Sequence, residues 1–163
     1  MDKTIRKIIF TGIIAALYAA LTLILAPISY GPVQFRFSEI LVLLAYFNPL
    51  YIGGLTLGCF IANLLGPNGL VDVVFGTLAT FISVYAIYIS SKIKMKDQYK
   101  LFIASICPTV VNGVIIGLML SYVLNIPFII AMAEVAVGEF VVVTIIGVPL
   151  IYKLRDKIRG MNI

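Results

Sequence analysis

The sequence has no histidine and few charged residues of either sign. Only 12% of its 163 residues are Asp, Glu, Lys or Arg, about half the share of an ordinary soluble domain. Without His, the chain lacks the commonest zinc ligand and the commonest general base. Cys59 and Cys107 both lie in apolar segments, so they indicate neither a disulfide framework nor a metal site.

Sequence motifs for common enzyme chemistry are missing as well. The chain has no Walker A loop, no nucleophile elbow and no H-E-x-x-H pattern. Its helical Ser and Thr residues have no His, and no Lys deep in a helix, that would activate them as nucleophiles. We therefore expect a protein that is not an enzyme, with no catalytic residue, metal or cofactor. If it moves a solute actively, the energy must come from another subunit or from an ion gradient.

Apolar residues dominate what is present. They make up 62% of the chain, and the mean hydropathy is +1.14. One core in a chain of this length cannot bury so much apolar surface, so lipid must cover the rest. The first apolar run is longer than a signal-peptide core and lacks an A-x-A-type end, and we expect it to be a retained helix. These features predict an all-α integral membrane protein.

The hydrophobic runs allow five or six helices in a single transmembrane domain, residues 1–163, and the placement of the basic residues favours six. The expected ranges of the six helices are about 8–26, 38–47, 50–65, 71–90, 101–124 and 127–152. The stretch 38–65 is long for one span and short for two, and Asn48-Pro49 is a turn signal in its middle. No internal repeat is visible in the sequence.

The basic residues determine the number of helices and the orientation. Eleven of the twelve Lys and Arg residues lie in three clusters, at residues 3–7, 92–100 and 153–159. Six helices put all three clusters on the cytoplasmic side, whereas five would put the second cluster outside, against the positive-inside rule. We therefore predict that both termini are cytoplasmic. The clusters indicate contact with anionic lipid head groups rather than with nucleic acid.

Small residues form two adjacent rows on the first helix. Gly12, Ala16 and Ala20 make one i, i+4 row, and Ala15 with Ala19 makes the other. Such rows allow another helix to approach closely, either within the bundle or from a partner subunit. A similar row on the third helix, Gly54, Gly58 and Ala62, is expected to pack internally.

Polar side chains collect in the predicted outer half of the membrane. The candidate substrate-binding residues are Gln34, Arg36, Glu39, Asn63, Asp72, Asn112, Glu134 and Glu139. A carboxylate at membrane depth is normally paired, protonated or facing a cavity, and one Arg cannot neutralise four carboxylates. The surplus favours a ligand that is cationic or rich in N–H donors. A structural alternative has Arg36 paired with Glu39 and Asp72 capping the fourth helix.

Several segments resemble the QueT family. They are 35–44 (FRFSEILVLL), 53–66 (GGLTLGCFIANLLG), 69–80 (GLVDVVFGTLAT), 137–140 (VGEF) and 147–150 (GVPL). The family consists of substrate-binding S components of energy-coupling-factor (ECF) transporters, proposed to take up queuosine precursors. The resemblance implies a six-helix S-component bundle without an internal repeat, in a prokaryotic cell (plasma) membrane. It also implies a partner complex of one transmembrane coupling subunit and two ATP-binding-cassette ATPases.

The same resemblance implies how the site and the partner surface work. In such S components the small-residue face of the first helix docks on the coupling subunit. The implied ligand is a 7-deazaguanine, with an aminomethyl derivative as one form, whose donor-rich edge suits carboxylates and an Asn amide. Tyr30, Phe35 and Phe37 are candidates to stack on its base, and the loops 27–37 and 66–70 would close over it.

Other functions remain open from the sequence. One alternative is an S component for another vitamin or nucleobase-like solute, since S components share a fold while they differ in substrate. A stand-alone channel or ion-coupled carrier, with Glu139 as its proton site, and a purely structural membrane subunit are the alternatives from other classes.

Overall fold

The computed structural model describes residues 2–31 and 33–160, and every regular element in them is helical. The α-helices are α1 (Lys3–Ile24), α2 (Ala26–Ser29), α3 (Leu50–Leu65), α4 (Gly69–Ser90), α5 (Asp97–Leu124), α6 (Phe128–Glu139) and α7 (Val148–Gly160). A 3₁₀ helix (Phe37–Tyr46) precedes α3, and a π segment (Phe140–Gly147) joins α6 to α7. The prediction of an all-helical protein is confirmed for these residues.

The predicted count of six helices is wrong, since the described residues contain seven α-helical segments. One reason is α2, a single turn with Pro27 in its first turn, which follows directly after α1. The other is the predicted helix 127–152, which is built from α6, the π segment and α7. The predicted helix 38–47 is not among the seven, because it is the 3₁₀ helix. These three pieces form one continuous helical stretch of 33 residues, Phe128–Gly160.

Within residues 2–31 and 33–160, four helical stretches are long and apolar enough to cross a membrane: α1, α4, the α5 stretch Tyr99–Leu124, and Phe128–Gly160. The 3₁₀ helix and α3 are apolar but shorter. They meet at the predicted turn, where the side chain of Asn48 accepts a hydrogen bond from the Leu50 N–H at 2.9 Å. Because a 3₁₀ helix rises about 2 Å per residue, its ten residues reach about 20 Å.

The 3₁₀ helix forms the centre of the bundle. Val42, Leu43 and Ala45 are fully buried in the main apolar core, which α1, α3, α4, α5 and the π segment also line. Large apolar side chains also cover the outer surface, for example Leu70 at 75% and Val74 at 61% exposure. An apolar outside around an apolar core is what a lipid-embedded bundle requires, because lipid rather than water contacts that surface.

Small residues bring α1 and α3 into close contact. A Cβ added to Gly54 would lie 2.9 Å from the Thr11 carbonyl oxygen, and one added to Gly58 would lie 2.8 Å from that of Ala15. The predicted internal packing of the third-helix row is therefore confirmed for these two glycines. Ala15 and Ala19 are buried on the α3 side of α1.

The two small-residue rows of α1 consequently face different surroundings. Gly12, Ala16 and Ala20 are exposed on the outer surface of the bundle, whereas Ala15 and Ala19 are covered by the chain itself. A partner helix can reach the first row directly. The second row is buried in the chain's own bundle, with Ala15 at 2% and Ala19 at 6% exposure, so the first row is the more accessible of the two.

Candidate ligand-binding site

A small polar cavity lies where the 3₁₀ helix, α4, α5 and α6 meet. It is lined by Gln34, Arg36, Glu39, Gly76, Thr80, Asn112 and Glu139, with Ile116 and Val135 on its apolar side. Five of the eight predicted binding residues therefore share one cavity. Asp72 and Asn63 lie beside it without lining it, and Glu134 lies elsewhere.

Arg36 is held by Asp72 at the edge of this cavity. Its Nη2 donates to Asp72 Oδ2 at 3.3 Å, and its Nε donates to the Ser29 carbonyl oxygen at 3.3 Å. The guanidinium also lies 5.1 Å from the centre of the Tyr30 ring. The structural alternative with Arg36 paired to Glu39 is thus wrong, because the Asp72 carboxylate takes the ion pair. Arg36 therefore joins the segment between α2 and the 3₁₀ helix, which we call the outer loop, to the first turn of α4.

Asn63 joins α3 to α4 below that ion pair. Its Nδ2 donates to the Asp72 carbonyl oxygen at 3.1 Å and to Cys59 Sγ at 3.3 Å. Thr80 Oγ1, which lines the cavity, also donates to Cys59 Sγ at 3.1 Å. Asn63 therefore supports the wall of the cavity, and its fully buried side chain does not reach the interior.

The ion pair leaves two carboxylates in the cavity without a cation of their own. Glu39 Oε1 accepts a hydrogen bond from the Tyr18 hydroxyl, and its Oε2 has no partner among the described residues. Glu139 Oε1 accepts from Asn112 Nδ2 at 2.8 Å. Since Arg36 is committed to Asp72, the interior favours a ligand that brings positive charge or N–H donors.

Gln34 is held over the cavity in an unusual backbone conformation. Its φ is +48°, in the left-handed region that non-glycine residues seldom adopt. The loop backbone packs directly on Gly138 of α6, where any Cβ would overlap the Val33 carbonyl oxygen. The side chain is 5% exposed, and its Nε2 has no partner among the described residues. Gln34 therefore presents an amide donor to the cavity.

None of the three predicted stacking residues is among those that line the cavity. Tyr30 donates from its hydroxyl to the Ala62 carbonyl oxygen at 2.6 Å, and burial raises the pKa of Tyr30 to about 12. Phe35 packs against the main core, and Phe37 is half-buried at the start of the 3₁₀ helix. The apolar lining of the cavity comes instead from Ile116 and Val135.

Glu134 is separated from the other carboxylates. It lies five residues before Glu139 on α6, which places it about 140° around the helix, and it is half-buried outside the cavity. The structure thus divides the two acidic residues of this helix between two environments.

The cavity is small, and the structure also has a much larger groove. The space open to the centre of a water molecule is about 10 Å³, enough for about one water. The groove offers about 350 Å³ by the same measure. It is lined by Tyr30 and Gly31 from one outer loop, Pro67 and Asn68 from the other, and apolar residues of α5. Residues of both loops that were expected to cover the ligand therefore line this groove.

Sequence comparison identifies the family of this chain. The model of the family described as QueT transporter matches residues 8–156. The chain belongs to the QueT family. It is 35% identical over 147 residues to the queuosine precursor transporter QueT of Lactococcus lactis subsp. cremoris (strain MG1363), covering 82% of this chain and 83% of that protein. No solved structure gives a significant match. This QueT-family chain is a multi-pass protein of the plasma membrane and a transporter rather than an enzyme.

Four residues that line the QueT-family cavity were missed from the sequence, as was one residue behind it: the lining residues are Gly76, Thr80, Ile116 and Val135, and the residue behind is Tyr18. Gly76 and Thr80 follow Asp72 at intervals of four on α4, so all three share one helix face, and that spacing was a usable signal. Tyr18 lies behind Glu39 and does not line the cavity. The sequence signal for Tyr18 was its position on α1 next to Ala19, in the part of the helix that is buried in the bundle.

Proposed function

We propose that this chain is the substrate-binding S component of an ECF transporter and that it binds a queuosine precursor of the 7-deazaguanine type. The relative from Lactococcus lactis is named as a queuosine precursor transporter, and family membership supports the transfer of that substrate class to this chain. The structural observation that carries the proposal is the Arg36–Asp72 ion pair. It engages Arg36, the cation that lines the cavity, with Asp72, so that Glu39 and Glu139 are left as acceptors for a ligand.

The cavity and the proposed ligand have complementary hydrogen-bonding groups. The pyrimidine edge of a 7-deazaguanine carries N–H donors, and an aminomethyl group adds a cation. Carboxylate oxygens are pure acceptors, so Glu39 Oε2 and Glu139 suit these groups. Gln34 Nε2 is a donor that suits the ring carbonyl oxygen. Charge-assisted hydrogen bonds of this kind are roughly twice as strong as neutral ones.

Entry of the ligand requires the outer loop to move. A cavity with room for about one water cannot admit a fused bicyclic base, whereas the outer groove is wide enough to receive it. The loop is fastened by Arg36 to Asp72, by Tyr30 to Ala62 and by backbone packing on Gly138. Release of these contacts would join the groove to the cavity, and their return would enclose the ligand.

The placement of charge supports an outward-facing cavity and cytoplasmic termini. Gly76 lies fourteen residues before Ser90, which is about 21 Å along α4 at 1.5 Å per residue. The basic cluster 92–100 follows that end of α4. Glu139 likewise lies fourteen positions before Lys153, the first residue of the basic cluster 153–159. Under the positive-inside rule these ends face the cytoplasm, and the cavity opens outside.

The chain needs an energy source in other subunits. Its sequence has no Walker A loop, so we assign ATP hydrolysis to two ATP-binding-cassette ATPases and force transmission to a transmembrane coupling subunit. The exposed row Gly12, Ala16 and Ala20 is the face of α1 available for that subunit. Residues 1–163 would act as one transmembrane domain in this complex.

Uptake into liposomes separates this proposal from a stand-alone carrier that uses Glu139 as a proton site. The chain alone should give no uptake of 7-aminomethyl-7-deazaguanine. Uptake should appear when the coupling subunit, the ATPases and ATP are added. Uptake by the chain alone that follows an imposed proton gradient would contradict the proposal and favour the carrier.

A further inference from the structure

Tyr18 is buried directly behind the cavity and touches one of its carboxylates. Its side chain is 0% exposed, and its hydroxyl donates a hydrogen bond to Glu39 Oε1. The other oxygen, Glu39 Oε2, has no partner among the described residues. One oxygen of the carboxylate is therefore occupied from behind, and the other remains for the cavity.

The packing of α1 fixes Tyr18 in this place. α3 approaches so closely that a Cβ on Gly58 would lie 2.8 Å from the Tyr18 Cβ. One turn further along, the Thr22 hydroxyl donates to the Tyr18 carbonyl oxygen at 2.9 Å and lies 2.6 Å from the Ser38 hydroxyl. Two successive turns of α1 thus hold the first turn of the 3₁₀ helix.

We propose that Tyr18 is a positioning residue that orients the Glu39 carboxylate for ligand binding. A glutamate side chain has several rotatable bonds, and ordering it on binding costs entropy. The Tyr18 hydrogen bond orders it beforehand, so that Oε2 meets a ligand N–H without rearrangement. This inference rests on the proposed function of the cavity, but it assigns a role to a residue that does not line it.

Binding of 7-aminomethyl-7-deazaguanine to the full chain in detergent, measured by titration calorimetry, tests this role. Tyr18→Phe keeps the ring and removes only the hydroxyl, and it should weaken binding about tenfold or more. Tyr51→Phe is the matched control, because Tyr51 is also buried, at 3% exposure, but lies on α3 outside the cavity. It should leave affinity unchanged.

A double-mutant cycle distinguishes positioning from general destabilisation. If Tyr18 acts through Glu39, Tyr18→Phe should have little further effect in a Glu39→Gln background. It should keep its full effect in an Asn112→Ala background, since Asn112 contacts Glu139 instead. Unchanged affinity in Tyr18→Phe, or equal effects in both backgrounds, would overturn the proposal.

The two proposals fail separately. If the wild-type chain binds riboflavin, thiamine or folate and no deazaguanine, the assigned substrate is wrong. The same cycle with the solute that binds still tests Tyr18. If wild type binds the deazaguanine and Tyr18→Phe binds it equally well, the cavity assignment survives and the role of Tyr18 does not.

Discussion

The guanidinium of Arg36 and the carboxylate of Asp72 form an ion pair at 3.3 Å, with 6% and 0% of their side chains exposed. The pair connects the outer loop to α4, although 36 residues separate the two positions. It has two effects on the cavity. It fastens the loop that carries Gln34, and it engages the Arg36 guanidinium, so that neither Glu39 nor Glu139 forms an ion pair with it.

Breaking this pair should destabilise the protein. Asp72→Asn leaves Arg36 buried without a counter-charge, at an expected cost of about 3–5 kcal/mol. Asp156→Asn is the control, because its pair with Arg155 is 85% exposed on the Asp side, and surface pairs contribute about 0–1 kcal/mol. Thermal unfolding in detergent should show a large decrease in the unfolding temperature of Asp72→Asn and little change in that of Asp156→Asn. Equal falls would contradict the role given to the buried pair.

Glu139→Gln should weaken binding of 7-aminomethyl-7-deazaguanine by about tenfold or more, because a hydrogen bond to a charged group contributes about 1.5–3 kcal/mol. Binding of the uncharged 7-cyano analogue should fall less. The control is Glu134→Gln, the same change on the same helix outside the cavity. Calorimetric titration of both variants with both ligands measures the difference. A larger effect of Glu134→Gln would show that the cavity is not the binding site.

Gly138→Ala should disturb the loop that carries Gln34. An added methyl group would overlap the Val33 carbonyl oxygen, and overpacking of this kind costs about 1–3 kcal/mol. Gly53→Ala is the matched control, since nothing lies within 4 Å of a Cβ at that position. Ligand affinity and the rate of ligand release should change in the first variant alone. If Gly138→Ala leaves both the ligand affinity and the rate of ligand release unchanged, the loop does not depend on this contact.

A bulky residue on the outward row of α1 should separate assembly from ligand binding. Ala16→Trp is expected to abolish co-purification with the coupling subunit while ligand affinity stays near that of wild type. Ala19→Trp should instead lower the unfolding temperature, because Ala19 is buried in the chain's own core. Pull-down from membranes and thermal unfolding provide the two measurements. Normal assembly by a well-folded Ala16→Trp variant would exclude this face.

The sequence predicted helix positions well where hydropathy and turn signals agree. The range 50–65 matches α3, because Asn48-Pro49 and Gly66-Pro67 mark both of its ends. The helix type could not be predicted, since apolar runs are alike in α, 3₁₀ and π geometry. The 3₁₀ helix at 37–46 and the π segment at 140–147 depend on packing around them.

Within the candidate site, the excess of carboxylates over basic residues could be predicted from the sequence, but the ion-pair partner of Arg36 could not. The sequence showed one Arg among four carboxylates, but Glu39 at three residues from Arg36 was as plausible a partner as Asp72. Only the folded chain brings α4 against the outer loop. Likewise, the two small-residue rows of α1 look alike in the sequence, and the position of α3 decides that Ala15 and Ala19 are internal.

Ligand binding by the purified full-length chain tests the central claim most directly. Titration in detergent with 7-aminomethyl-7-deazaguanine should give a dissociation constant at or below micromolar, and Glu139→Gln should weaken it about tenfold or more. Riboflavin, thiamine and folate should not bind. Binding of one of these vitamins, with no deazaguanine bound at micromolar concentration, would contradict the account.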